Sequence, residues 1–170
     1  EIRLSLVGSE MCIRDSITTS SNGSNGINMT GGILEAQRIT LTTSGSNADA
    51  VSLDNSQADL SDNSSITTRG NDSNGVRVQN NSRLTISDTT IELAGSGNAS
   101  GLNISDSTVN ATRLTVTAAN SSRGIVASSS DGTHRLQLSQ TNITTDEGDA
   151  LVLSGGTANP VSYTHLTLPT

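Results

Sequence analysis

A short motif recurs six times along this chain, in which a small residue precedes an aliphatic residue, a spacer and usually a second aliphatic residue. The first aliphatic residues of successive copies lie 24, 25, 26, 23 and 26 positions apart. A motif that recurs at a period of roughly 20 to 50 residues is typical of a stacked-repeat protein. The six copies are Gly26-Ile27-Asn28-Met29, Ala50-Val51-Ser52-Leu53, Gly75-Val76-Arg77-Val78, Gly101-Leu102-Asn103-Ile104, Gly124-Ile125-Val126-Ala127 and Ala150-Leu151-Val152-Leu153.

The two ends of the chain stand apart from this repeat, because both resemble translated sequencing-library adapter. The alternative is that they are natural strands, since Ile2 and Leu4 alternate with polar residues as strand residues do. Two adapter matches in the expected orientations rarely arise by chance. We therefore interpret residues 1–16 and 160–170 as adapter-derived, and we expect residues 17–159 to be a repeat fragment of a longer protein.

The composition of residues 17–159 narrows the possible function classes. This part of the chain has no cysteine, proline or lysine, and its only aromatic ring is that of His134. Seven arginines stand against thirteen carboxylates, which gives a formal charge of −6. An acidic chain without a basic stripe does not attract nucleic acid or anionic membranes, so we expect neither as a partner. The lack of cysteine excludes a disulfide scaffold and a thiolate metal site.

Aliphatic residues alternate with polar ones, which predicts short strands rather than disorder or helices. Val76 and Val78, for example, are separated by one residue, so their side chains point to the same face of a strand. No stretch sustains helical periodicity, and Ser, Thr, Asn and Gly are poor helix formers. A five-residue interval also recurs between aliphatic residues, from Ile86 to Ile91, from Val109 to Leu114 and from Leu138 to Ile143.

Turn-forming clusters such as residues 44–49 and 70–75 separate the predicted strands. Three short strands in each repeat predict an all-β fold, a right-handed parallel β-helix of about five to six coils of roughly 25 residues. A β-sandwich or an up-and-down barrel is the alternative, but neither keeps one template through six copies. The small residue before each first aliphatic predicts a tight corner where a larger side chain would crowd the next coil.

The sequence from Asn74 to Leu93, with the glycine-rich stretch that follows it to Gly101, resembles the passenger domains of bacterial autotransporters, the pertactin-like right-handed β-helices. The resemblance covers residues 23–159 and rests on pattern and composition. It implies a type V secreted protein on the surface of a Gram-negative-type bacterium, carried to the outer membrane by a C-terminal β-barrel that lies outside this fragment. Passengers of this kind commonly act as adhesins or surface-displayed virulence factors.

Few side chains in the repeat suggest chemistry. Asp62 and Asp88 precede comparable isoleucines, so they could face the same side of adjacent coils as an acid and base pair. The acidic run at 146–149 could join Asp131 at a calcium site, although the calcium-binding β-roll motif is absent. His134 has no second histidine or cysteine with which to form a site. We interpret all of these as solvated turn residues, and we assign no catalytic, cofactor-binding or metal-binding residue.

We therefore expect a non-enzymatic role in adhesion or surface display, with no cofactor. The partner would be a host or bacterial surface protein, or a glycan, bound through hydrogen bonds from Ser, Thr and Asn ladders and turn loops. Two alternatives stay open. The fragment is a passive stalk that presents another domain, or it belongs to a carbohydrate-active β-helix enzyme, whose site would require clustered carboxylates.

Overall fold

The computed structural model describes residues 15–130, 132, 135–161 and 165–167. Within these ranges the chain forms seventeen strands and no helix, hence none long and apolar enough to cross a membrane. The strands are β1 (Ser16–Thr19), β2 (Ile27–Thr30), β3 (Ile33–Gln37), β4 (Thr40–Thr43), β5 (Val51–Asp54), β6 (Gln57–Ser61), β7 (Ser65–Thr68), β8 (Val76–Gln79), β9 (Arg83–Leu93), β10 (Ser100–Ser105), β11 (Thr108–Ala118), β12 (Arg123–Ser128), β13 (Arg135–Ser139), β14 (Asn142–Thr145), β15 (Leu151–Ser154), β16 (Thr157–Val161) and β17 (His165–Thr167).

The strands stack in parallel to form three faces. Face 1 contains β2, β5, β8, β10, β12 and β15. Face 2 contains β3, β6, the first halves of β9 and β11, then β13 and β16. Face 3 contains β1, β4, β7, the second halves of β9 and β11, then β14 and β17. The chain visits faces 1, 2 and 3 in turn through six coils, which confirms the predicted all-β parallel β-helix.

The strand register follows the sequence repeat. Successive coils of face 1 align through the first aliphatic residue of each motif copy, so that these six residues form one buried or half-buried column. The coils differ in length by up to three residues, and the differences fall in the turns, so the strands of each face stay aligned. The column is Ile27, Val51, Val76, Leu102, Ile125 and Leu151.

The interior is filled by aliphatic residues that alternate with outward polar ones. Leu84, Ile86, Ile91 and Leu93 along β9 are all buried, as the alternation predicts. Every coil contributes such side chains to one continuous hydrophobic core. Because one coil alone buries too few aliphatic groups to offset the entropy of ordering its backbone, the core is stable only as a stack.

The recurring five-residue interval does not mark equivalent positions in successive coils. Ile91 pairs with Val116 in the next coil, not with Leu114 as the repeated five-residue interval implies. Leu114 pairs with Thr89 instead, at the corner between faces 2 and 3. The last buried residue of face 2 is Ile86 in one coil and the smaller Ala111 in the next. An interval counted between larger aliphatic residues starts at Val109 instead, two positions earlier.

The small residue that begins each motif copy lies where adjacent coils approach closely. A Cβ atom added at Gly75 would lie 2.6 Å from the carbonyl oxygen of Gly101 in the next coil, and one at Gly26 would lie 2.6 Å from the carbonyl oxygen of Ala50. Both distances are too short for a carbon atom against a backbone oxygen. Ala50 and Ala150 occupy the same column with their methyl groups buried. The predicted tight corner is confirmed.

Buried serines hold the corner between faces 1 and 2. The amide of Ser56 donates to Oγ of Ser82 at 3.0 Å, and the amide of Ser82 donates to Oγ of Ser107 at 3.1 Å. Each hydroxyl donates in turn to a carbonyl of its own coil at 2.6 to 2.8 Å. Strand pairing is interrupted at the corners, so these side chains satisfy buried backbone groups that would otherwise lack partners.

Faces 2 and 3 continue into the C-terminal segment that we interpret as adapter-derived. Strand β16 pairs with β13 up to Val161, and β17 pairs with β14. At the other end β1 begins at Ser16. Strand pairing requires only a suitable backbone and alternating pattern, whatever the origin of the sequence. The assignment of residues 1–16 and 160–170 therefore stays a prediction.

Candidate functional surfaces

Each coil passes from face 2 to face 3 through a residue with a positive φ angle. These residues form an outward column, which we call the charged corner: Arg38, Asp62, Asp88, Arg113 and Gln140. Their φ angles lie between 46° and 59°. This left-handed conformation is uncommon for residues other than glycine, asparagine and aspartate. The stack of coils repeats the same turn five times and so imposes it even on arginine.

The charged corner brings Asp62 and Asp88 onto adjacent coils, as the sequence indicates. Each carboxylate is paired with an arginine of the coil on the side away from the other aspartate. Arg38 Nη1 lies 3.6 Å from Asp62 Oδ2. Arg113 binds Asp88 through two hydrogen bonds, from Nε to Oδ1 at 2.5 Å and from Nη2 to Oδ2 at 2.6 Å.

The ion pair of Asp88 and Arg113 favours the charged form of both groups. The hydrogen bond from Arg113 lowers the pKa of Asp88, and the same bond raises the pKa of Arg113. A general acid at neutral pH requires a carboxyl group with a raised pKa. The arrangement therefore favours a structural clamp between two coils over an acid and base pair.

A third acidic residue, Asp49, is almost fully buried at the corner that leads into face 1. Its Oδ1 accepts hydrogen bonds from the backbone amide of Asn74 at 2.7 Å and from the Asn74 side chain at 2.8 Å. Its Oδ2 accepts from Arg77 Nε at 2.6 Å. The column continues on both sides, since Asn25 accepts from the amide of Asp49 and Asn74 accepts from the amide of Ser100. These side chains connect coils where backbone pairing is incomplete.

This buried ladder was not predicted from the sequence. The signal was present, because Asn25, Asp49 and Asn74 each stand directly before the small residue of a motif copy. Short polar residues in that position looked like ordinary turn residues, for which exposure is the usual outcome. The ladder has a structural rather than a chemical role, because its polar atoms are hydrogen-bonded between neighbouring coils.

The acidic run considered for calcium lies on an exposed turn. Asp146, Glu147 and Asp149 are exposed, and Glu147 accepts a hydrogen bond from Ser121 Oγ at 3.0 Å. Asp131, which was to join them, and His134 both lie outside the described residues. In the part of the chain that the structure describes, no group of three acidic, histidine or cysteine residues is arranged to hold a metal ion.

Two shallow depressions follow the corner between faces 1 and 2. Their linings are mostly polar, with Asn81 and Arg83 common to both. A site for a small organic ligand is usually concave and mainly apolar, with a few polar groups that orient the ligand. These open depressions do not have that character.

The fold and these surfaces define the chain as a parallel β-solenoid whose polar groups connect its coils and cover its outside. Comparison of the chain with protein-family models, with curated proteins and with solved structures gives no match. The function is therefore proposed from the solenoid and its surfaces.

Proposed function

We propose that this solenoid is part of the passenger of an autotransporter-like protein, displayed on or released from the surface of a Gram-negative-type bacterium, where it serves as an adhesion scaffold. The observation that carries the proposal is the unbroken register of six coils along face 1. A stack of this kind presents the same outward positions at intervals of about 4.8 Å. Weak contacts to one partner are therefore repeated along the rod.

The outward chemistry supports recognition through hydrogen bonds. The outward column of face 1 presents the polar residues Asn28, Arg77 and Asn103, together with the buried Ser52 and two half-buried valines, Val126 and Val152. Polar, shallow and repeated surfaces suit a surface protein or a glycan better than a small ligand. The proposed role is non-enzymatic and needs no cofactor. An outer-membrane barrel belongs to the parent protein in this proposal.

A passive stalk is the second candidate. The same stack favours it, because the coils pair with their neighbours through the same three faces and the two depressions found on the described surface are shallow. In a stalk, binding would reside in another domain of the parent protein. The two candidates differ in what the loss of one coil does to binding.

The secretion proposal is tested by sequencing the gene beyond both ends of this chain. We expect an outer-membrane β-barrel to be encoded downstream, and antibodies against the 170-residue chain should label intact cells that express the parent protein or detect the passenger in their medium. A complete gene without such a barrel, or detection only after lysis, would contradict the proposal. Removal of residues 76–101 from the parent then separates the two roles, because an adhesin loses binding to its host or bacterial target whereas a stalk retains it.

A further inference from the structure

Face 3 differs from the other two faces in the uniformity of its outward side chains. Each strand of this face presents two outward residues, one on each side of a central inward residue. The first outward column begins with Ser16, which lies in the segment that we interpret as adapter-derived, and continues with Thr40, Ser65, Thr90, Thr115 and Asn142. The second outward column is Thr18, Thr42, Thr67, Glu92, Thr117 and Thr144. Ten of these twelve positions carry a hydroxyl group, and we call the two columns together the threonine face.

The hydroxyls of the threonine face are available to an external partner. All twelve side chains are exposed or half-buried. Elsewhere in the chain hydroxyls serve the fold: Ser82 donates to a carbonyl at the corner between faces 1 and 2, and the inward Thr19 and Thr68 donate to turn carbonyls. Within the described residues no hydrogen bond of the protein uses a hydroxyl of the threonine face.

The geometry of the threonine face is that of a flat lattice. Adjacent strands of a sheet lie about 4.8 Å apart, and outward residues two positions apart on one strand lie roughly 6.6 to 6.8 Å apart. Six strands therefore extend the array over about 24 Å. The residues between the two columns point inward and anchor each strand in the core, as Leu41, Ile66 and Ile91 do. Threonine is stiff at χ1, so little side-chain entropy is lost when its hydroxyl is ordered.

Such a lattice suits a partner that is itself periodic and uncharged. Because nearly every coil carries the same residue type at the two outward positions of face 3, a partner that repeats in two directions can contact all coils at once. Ice is a partner of this kind, because its water molecules carry no net charge and repeat in two directions. The threonine face carries one charged residue, Glu92, although the chain has a net charge of −7. A charged group holds its own hydration water and would disturb an ordered water layer.

From these observations we propose that the threonine face binds ice. Its hydroxyls hydrogen-bond to lattice water or to water ordered in register with the lattice, which is enthalpically close to a direct hydrogen bond. The inference goes beyond the proposed role in adhesion and does not depend on it. Assays with ice alone need no secretion, host or second domain, so the failure of one proposal leaves the other untouched.

Ice growth in the presence of the purified 170-residue chain tests this assignment. We expect shaped ice crystals, a gap between the melting and freezing temperatures, and inhibition of ice recrystallisation. Thr67→Lys replaces a central hydroxyl with a long side chain that obstructs flat contact with ice, and it should strongly reduce these effects. Thr85→Lys is the matched control, because Thr85 is an exposed outward residue of face 2, and it should leave them unchanged.

A gain of function provides the second arm of the test. Glu92→Thr removes the one charge and completes the second column, so it should widen the temperature gap relative to the unmodified chain. Far-UV circular dichroism of every variant establishes that the β fold is retained. Ice growth indistinguishable from buffer with the unmodified chain, or equal activity of Thr67→Lys and Thr85→Lys, would overturn the assignment. So would a Glu92→Thr variant that folds and is less active than the unmodified chain.

Discussion

The hydroxyl of Thr43 is fully buried and, within the described part of the chain, has no hydrogen-bond partner. A buried polar group without a partner costs about 1 to 3 kcal/mol. Valine has nearly the same shape and no hydroxyl. We therefore expect Thr43→Val to raise the free energy of unfolding by about 1 kcal/mol, measured by urea unfolding of the 170-residue chain.

Thr68 supplies the matched control, because it pairs with Thr43 in the next coil and is equally buried. Its Oγ1 donates to the carbonyl of Ser73 at 3.2 Å. Thr68→Val removes that bond and leaves the carbonyl with one partner fewer, so stability should fall by about 0.5 to 1.5 kcal/mol. Equal changes in the free energy of unfolding for Thr43→Val and Thr68→Val would show that the hydrogen bond of Thr68 does not determine the difference in stability between them.

At the scale of the strands, the close approach of coils along face 1 requires the small residue that precedes the first aliphatic residue of each motif copy. A Cβ atom at Gly75 would meet the carbonyl of Gly101 at 2.6 Å and the side chain of Ile91 at 2.5 Å. Gly75→Val should therefore lower the free energy of unfolding by about 1 to 3 kcal/mol, as overpacking does elsewhere. Thermal unfolding followed by circular dichroism measures the loss.

A valine substitution at an outward position distinguishes the effect of crowding on stability from the effect of strand propensity. Thr85→Val introduces a valine on exposed β9, where no coil crowds it, and should change stability by less than about 0.5 kcal/mol. A Gly75→Val variant as stable as Thr85→Val would contradict the close approach of β8 and β10.

The strands of face 1 could be predicted from sequence because small and aliphatic residues mark each one. The charged corner could not, since Arg38 and Arg113 carry no turn signal and adopt positive φ only because the stacked coils impose it. The threonine face was visible only as an abundance of Ser, Thr and Asn. Assigning Thr67 and Thr117 to one column requires the register across coils of unequal length, which the structure supplies.

At the scale of the whole molecule, contacts run mainly between neighbouring coils, so stability should accumulate coil by coil. Backbone pairing, the buried Asp49 ladder and the ion pair of Asp88 and Arg113 all join residues about one coil apart. In such an array the free energy is close to a sum of coil terms and interface terms. A deletion that respects the period should therefore shorten the rod without destroying it.

Deletion of residues 76–101 tests this expectation, because it removes one coil and joins Gly75 to Leu102 in the same register. It also brings Arg113 next to Asp62, which preserves an ion pair at the charged corner. We expect a folded β-rich protein. The slope of its free energy of unfolding against urea concentration should fall by about a sixth, because that slope scales with the surface exposed on unfolding. Deletion of residues 76–88 removes half a coil and puts face 3 residues into face 1, so it should unfold the chain. Loss of β structure in both variants would mean that the coils are not interchangeable units.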